Sequence, residues 1–213
     1  MVDLTGNLAG RFIVIDGPDG SGKSTQLKML ADWLRREGVP VVETRDPGGT
    51  DIGDKIRRIL LDRRHRSMTI GCEMLLYMAS RTQLMGEVIG PAIDGGDCVL
   101  CDRWVSATIA YQAAEGAMSP GEIVDVYEIA LRRVRPDLTI ILDLPAKTGL
   151  ARVPGKADRM ESKGLGFHRR ARDLFLEQAR SEPARFAVVR AGGTRQQVNM
   201  RMRKLIATWD FES

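Results

Sequence analysis

The chain has 213 residues, 43% of them apolar, which suits one domain with a sizeable core. Its 32 basic residues face 28 acidic ones for a formal net charge of +4, with no long block of either sign. That balance argues against a dedicated nucleic-acid surface and for basic residues gathered where phosphates bind. Cys72, Cys98 and Cys101 make no disulfide framework, and His65 and His168 are too few to complete a zinc site, so packing is the expected role of the Cys98/Cys101 pair. With no membrane-length apolar segment and no signal-peptide pattern, the expectation is a cytoplasmic protein that meets neither membrane nor nucleic acid.

Residues 1–10 read as a polar, glycine-containing lead-in with little to order it, and 11–213 as a single domain. Phe12-Ile13-Val14-Ile15 is too short and too β-branched for a helix and predicts a strand buried on both faces. Gly17-Pro18-Asp19-Gly20-Ser21-Gly22-Lys23-Ser24 fits G-x-x-x-x-G-K-[ST], and Thr25 to Arg36 carries apolar residues at helical spacing. A phosphate chain concentrates negative charge and needs many N–H donors at once. Glycines let the backbone wrap around it, and the following helix adds its free N–H groups and the positive end of its dipole. Lys23 supplies a mobile charge toward the outer phosphates, and the Ser24 hydroxyl is placed to ligate magnesium. The expected ATP-binding set is therefore Gly17, Pro18, Asp19, Gly20, Ser21, Gly22, Lys23, Ser24 and Thr25. A chance glycine-rich turn is the bland alternative, and the strand before and helix after weigh against it.

Further along, residues 39–44 read as a second strand running into a turn-rich loop, Arg45-Asp46-Pro47-Gly48-Gly49-Thr50. Helices are expected over 51–61 and 70–89, a break over 91–97, and a third strand over 98–102. Helical patches at 105–112 and 120–133 precede a fourth strand at 138–143. Residues 152–166 are polar, charged and glycine-bearing and predict a mobile loop. A helix over 167–180, a short strand at 187–190 and a helix over 194–209 close the chain. Strands alternating with helices predict an α/β fold, a five-stranded parallel sheet with helices on both faces in three layers.

The P-loop alone does not separate kinases from GTPases, ATPases or motors. Asp102-Arg103 stands at the carboxyl end of an apolar strand, where open α/β sheets place their ligands. An Asp there holds magnesium or its water shell, and an Arg grips an acceptor phosphate in a fork; the alternative is an exposed salt bridge. A switch that hydrolyses GTP would carry a base-reading motif such as N-K-x-D, and the sequence has none. A kinase for another nucleotide or nucleoside remains a rival.

GPDGSGKST, TRDPGGT, EMLLYMASR, CDRWVSATIAYQ and ADRMESKGLGFHRRAR occur in the order and spacing of the bacterial-type thymidylate kinases, a resemblance running from about Arg11 to Arg185. It implies a P-loop nucleoside-monophosphate kinase fold, transfer of the ATP γ-phosphoryl to dTMP with Mg²⁺, and a homodimer. By the same resemblance, Asp19 faces the acceptor sugar 3′-hydroxyl, and Asp46, where the family usually has Glu, organises acceptor phosphate and metal. Arg57 and Arg103 contact the dTMP phosphate. Tyr77 and Arg81, four apart on one helix, stack on thymine and hydrogen-bond its O4. Thr108, Tyr111 and Gln112 line the base and sugar pocket. Loop 152–166 corresponds to the lid. Because position 20 is Gly rather than basic, its catalytic cations are expected in that lid, among Arg152, Lys156 and Arg159.

Tyr77 stands where Phe is usual and Trp104 where Tyr is usual, and Pro154 sits in an arginine-poor lid. Arg190 occupies a place where an acidic residue is common. The first three bear on acceptor selectivity and lid motion.

Overall fold

The computed structural model describes residues 4–116, 118–132, 134–153 and 159–211. Five strands form one all-parallel sheet: β1 (Phe12–Asp16), β2 (Val41–Arg45), β3 (Cys98–Asp102), β4 (Leu138–Asp143) and β5 (Phe186–Arg190), in the order β2-β3-β1-β4-β5. The helices are α1 (Leu4–Leu8), α2 (Lys23–Arg36), α3 (Asp51–Leu61), α4 (Ile70–Leu84), α5 (Gly90–Asp94), α6 (Val105–Ala114), α7 (Pro120–Leu131), α8 (Ala146–Leu150), α9 (Leu165–Ser181) and α10 (Arg195–Thr208).

The continuous apolar runs become the three central strands because each must fill both faces of a covered sheet. Along β1, Ile13 and Ile15 join Leu30, Leu34 and Met202 in one core, while Phe12 and Val14 face Met78, Leu84 and Trp104 in the other. A third cluster packs Ile141 with Ala110, Tyr111 and Phe175 from α6 and α9. Cys98 and Cys101 lie buried, one in each of the first two cores. Edge strands β2 and β5 are only partly buried.

Two expectations need correcting. Residues 1–10 are not an unanchored lead-in: 4–8 form α1, and Leu8 is completely buried against the first core. One large apolar side chain meeting a waiting surface suffices to dock that turn. The helical path also does not stop before Pro91. α4 widens into a π-helical turn over Met85–Ile89, the Gly90 N–H bonds to the Met85 carbonyl, and α5 continues to Asp94. Pro91 lies in the first turn of α5, where its missing N–H leaves no bond unmade. Smaller shifts follow from proline chemistry too, as β2 begins at Val41, after Pro40, which has no N–H to give the ladder. The short helix α8 had no counterpart among the expected elements. Of the 152–166 loop, residues 154–158 lie outside the described residues, Pro154 and Lys156 among them.

Candidate active site

β1, β2 and β3 all end on the same side, and a cleft of about 400 Å³ opens over their carboxyl ends. The loops after these strands supply its floor, and α3, α4 and α6 its walls.

After β1 the chain turns through Gly17–Gly22, with Gly17, Gly20 and Gly22 at positive φ, and enters α2 at Lys23. Two of these glycines are required by space as well as by φ. A Cβ on Gly17 would lie 2.6 Å from the Leu142 carbonyl oxygen, and one on Gly20 would lie 2.0 Å from that of Gly149. Lys23 folds back, its Nζ donating to the carbonyls of Gly17 (2.9 Å) and Pro18 (2.8 Å). Burial, with the Arg103 charge acting in the same direction, pulls its pKa down to about 8. Ser24 Oγ donates to Asp102 Oδ2 at 2.5 Å, bringing the two expected metal ligands together.

Arg103 is a non-glycine residue with φ +73°, a conformation that is strained for a side-chain-bearing residue and is held by its surroundings. Its N–H bonds the Ile15 carbonyl, tying the turn after β3 to β1. Its guanidinium donates to Asp19 Oδ1 (2.5 Å), Asp16 Oδ1 (3.3 Å) and the Gly17 carbonyl (3.2 Å), and lies 5.2 Å from the Tyr111 ring centroid. Asp19 is largely buried, which opposes ionisation, but the Arg103 and Lys23 charges prevail and hold its carboxyl below the usual range. Asp16 is fully buried, accepts from the Gly17 N–H and Ser106 Oγ, and has its pKa raised by burial. Asp16 is not among the residues expected from the sequence. Its signal was an acid closing an otherwise apolar strand, one step before the phosphate loop.

Arg81 and Asp46 form a buried ion pair through Nε (2.9 Å) and a second, very short contact from the other nitrogen. Arg81 also donates to Thr108 Oγ1 (3.0 Å) and stacks over the Trp104 ring, 5.1 Å from its centroid. Asp46 is thus engaged by Arg81, while one of its oxygens, Oδ1, has no partner among the described residues. Arg57 donates to the Pro47 carbonyl (3.0 Å). Neither Arg57 nor Lys23 has a carboxylate within ion-pair distance among the described residues, so their charges are open to phosphate. Tyr77, half-buried, lines the cleft, and burial pushes its phenol pKa well up.

Of the expected residues, Asp19, Gly20, Gly22, Lys23, Ser24, Thr25, Asp46, Arg57, Tyr77, Arg81, Asp102, Arg103, Thr108, Tyr111 and Gln112 line this one cleft. Gly17, Pro18 and Ser21 of the phosphate loop do not, nor do Arg152 and Arg159. Arg152 is exposed just beyond α8. Arg159 donates to the Leu60 carbonyl (2.9 Å) and pairs with Glu73 (2.6 Å), a buried residue in the first turn of α4. Arg45, Pro47, Leu61, Trp104, Ala107, Met160 and Glu161 complete the lining and were not among the expected site residues. Trp104 reaches both cleft and core: its ring meets Phe12 edge-on at 5.1 Å, and its indole N–H donates to the Tyr127 hydroxyl.

A parallel sheet whose first strand opens a phosphate loop, facing a second cluster of cations across a cleft, defines a P-loop phosphotransferase. The thymidylate kinase family model matches residues 15–201. The chain is 43% identical over 193 residues to the thymidylate kinase of Ectopseudomonas mendocina, covering 90% of this chain and 92% of that one. It is 40% identical over 196 residues to that of Symbiobacterium thermophilum, covering 92% of each. The crystal structure of thymidylate kinase from Ehrlichia chaffeensis superimposes with a TM-score of 0.76 at 28% identity, over 93% of this chain and 98% of that one. The chain belongs to the thymidylate kinase family.

Proposed function

We propose that this chain transfers the γ-phosphoryl group of ATP to dTMP, giving dTDP and ADP. The observation that carries the reading is the shared cleft, where Lys23 and Arg103, both held at the P-loop, and Arg57 from α3 converge on one space. ATP lies on the loop 17–25, and Lys23 leaves the Gly17 and Pro18 carbonyls for its outer phosphates. Arg57 and Arg103 hold the dTMP phosphate, Asp19 the sugar 3′-hydroxyl, and Tyr77, Arg81, Thr108, Tyr111 and Gln112 the base and sugar. Asp46 acts through Arg81, fixing the plane of its guanidinium.

An oxygen of the dTMP phosphate attacks the γ-phosphorus in line, and the bond to the ADP oxygen breaks. That oxygen is already anionic near pH 7, so no general base is required. The protein contributes position and charge neutralisation. Ser24 Oγ and the Asp102 carboxylate are hard oxygen donors meeting where the phosphates would lie, a pair that suits Mg²⁺, which keeps most of its waters and takes phosphate oxygens. When bound, the ion neutralises phosphate charge. By the family resemblance, 152–166 of the single domain 11–213 is the lid, and Arg152, Lys156 and Arg159 are its candidate catalytic cations. Of these, Arg159 pairs with Glu73.

The exposed Ile52, Ile59 and Leu75 on the packed pair α3 and α4 support a homodimer, which light scattering in solution tests directly. A cytoplasmic location fits the free thiols; among the described residues no helix is long and apolar enough to cross a membrane.

An ADP-release assay with ATP, Mg²⁺ and a panel of dTMP, dUMP, dGMP, CMP and thymidine tests the reading. Fastest turnover with dTMP is expected. Preference for thymidine over dTMP would remove the phosphate-gripping role of Arg103, and ADP release indifferent to every acceptor would overturn the kinase assignment.

A further inference from the structure

Gln112 lies in the wall of the cleft and is 1% exposed. Its amide makes one hydrogen bond among the described residues: Nε2 donates to Glu73 Oε1 at 2.7 Å. Its Oε1 is buried without a partner among those residues. Leaving a buried acceptor unsatisfied costs free energy, so such an atom is expected to find its partner in a ligand. Glu73 is itself 2% exposed, and its other oxygen pairs with Arg159 at 2.6 Å.

The chemistry of this chain of contacts leaves little freedom. An amide can be turned over by rotation about χ3, exchanging its donor and acceptor ends. A carboxylate paired with a guanidinium offers only acceptors, so whichever end of the Gln112 amide meets Glu73 has to be the NH₂. The carbonyl oxygen is then the end left for the cleft. Were residue 73 neutral and able to donate, both orientations would be allowed.

We propose that Glu73 is a specificity-determining positioning residue, which locks the Gln112 amide so that the base pocket presents an acceptor and selects pyrimidines carrying an N3–H donor. Thymine and uracil have that donor; cytosine has a lone pair at N3 and is repelled. Arg159, in the segment assigned to the lid, completes the device by pairing with the other oxygen of Glu73. Neither Glu73 nor Arg159 needs to touch the nucleotide. The inference rests on the dTMP reading of the cleft.

The test is calorimetric titration of dTMP and dCMP into wild type, Glu73→Gln, Gln112→Leu and the double variant, with far-ultraviolet circular dichroism on each. Wild type is expected to prefer dTMP, and Glu73→Gln to shrink the dTMP-to-dCMP affinity ratio by about tenfold or more, the scale set by one buried unpaired acceptor. Weaker dTMP binding and stronger dCMP binding both contribute. In the Gln112→Leu background, Glu73→Gln should leave the ratio unchanged, which also gives an answer if one single variant folds poorly. A Glu73→Gln protein whose ratio stays within twofold of wild type, or one that loses both nucleotides in parallel, would overturn the proposal and make Glu73 merely structural. Wild type that binds neither nucleotide would instead overturn the dTMP reading, and this inference with it.

Discussion

The backbones of Gly20 and Gly149 touch. A Cβ on Gly20 would lie 2.0 Å from the Gly149 carbonyl oxygen, and one on Gly149 would lie 2.2 Å from that of Asp19. The phosphate loop therefore rests directly on α8, the element that leads into the lid. This gives a second, steric reason for glycine at position 20, beside the absence of a basic side chain there. Gly20→Ala is expected to destabilise the free protein by about 2–4 kcal/mol, combining an overpacked backbone contact with a strained positive φ. Gly22 also has positive φ but would meet nothing within 4 Å, so Gly22→Ala should cost only the strain, about 1–2 kcal/mol. Chemical denaturation of the two variants without ligand checks the order; equal losses would contradict the contact.

Lys23 gives the site a pH dependence. Its folded pKa of about 8 lies below the 10.5 of an unperturbed lysine. Between those values the unfolded chain binds more protons, so stability of the free protein should rise with pH through that window. ATP binding should move the other way. Phosphates favour the ammonium, so above pH 8 binding requires proton uptake and the ATP dissociation constant should climb toward tenfold per pH unit. Titrations in buffers of different ionisation enthalpy would reveal the proton taken up. A flat profile from pH 7 to 9.5 would contradict the assignment.

Arg103→Ala should lower turnover by about 10³-fold, the scale of a cation that holds transferring phosphate. It also removes the partner of Asp16 and Asp19, so a lower Tm is expected with the fold retained. Arg103→Lys should recover little, since an ammonium cannot reproduce the guanidinium fork. Steady-state kinetics alongside thermal melts separates the two effects.

Asp46 and Arg81 are each about 1% exposed. Removing either alone strands a buried charge and should cost about 3–5 kcal/mol. Asp46→Asn combined with Arg81→Met should cost less than the two losses added. A double-mutant cycle by denaturant unfolding measures that coupling, and additive losses would contradict a direct pair.

What could be read from the chain was whatever depended on local pattern. Phe12–Ile15 shows its burial in an unbroken apolar run and Leu138–Leu142 in one broken only by Thr139, and the P-loop shows itself in its glycines. The contacts that finish the site join residues far apart in sequence. Beyond its bond to the adjacent Gly17 N–H, Asp16 is engaged by Ser106 and Arg103, and Glu73 by Gln112 and Arg159, pairings that exist once the sheet order is set. Nothing local in Glu73 distinguishes it from a solvated acid at a helix start. The expected break at Pro91 is absent for a related reason: a proline stops a regular helix, but the π turn at Met85–Ile89 has already changed the hydrogen-bond register.

The most direct test is a crystal structure of the protein with ADP and dTMP together. The dTMP phosphate should lie between Arg57 and Arg103, facing the P-loop across the cleft, with its base toward Tyr77 and Gln112. A dTMP molecule seated elsewhere, with the Asp102–Arg103 corner empty, would contradict the account.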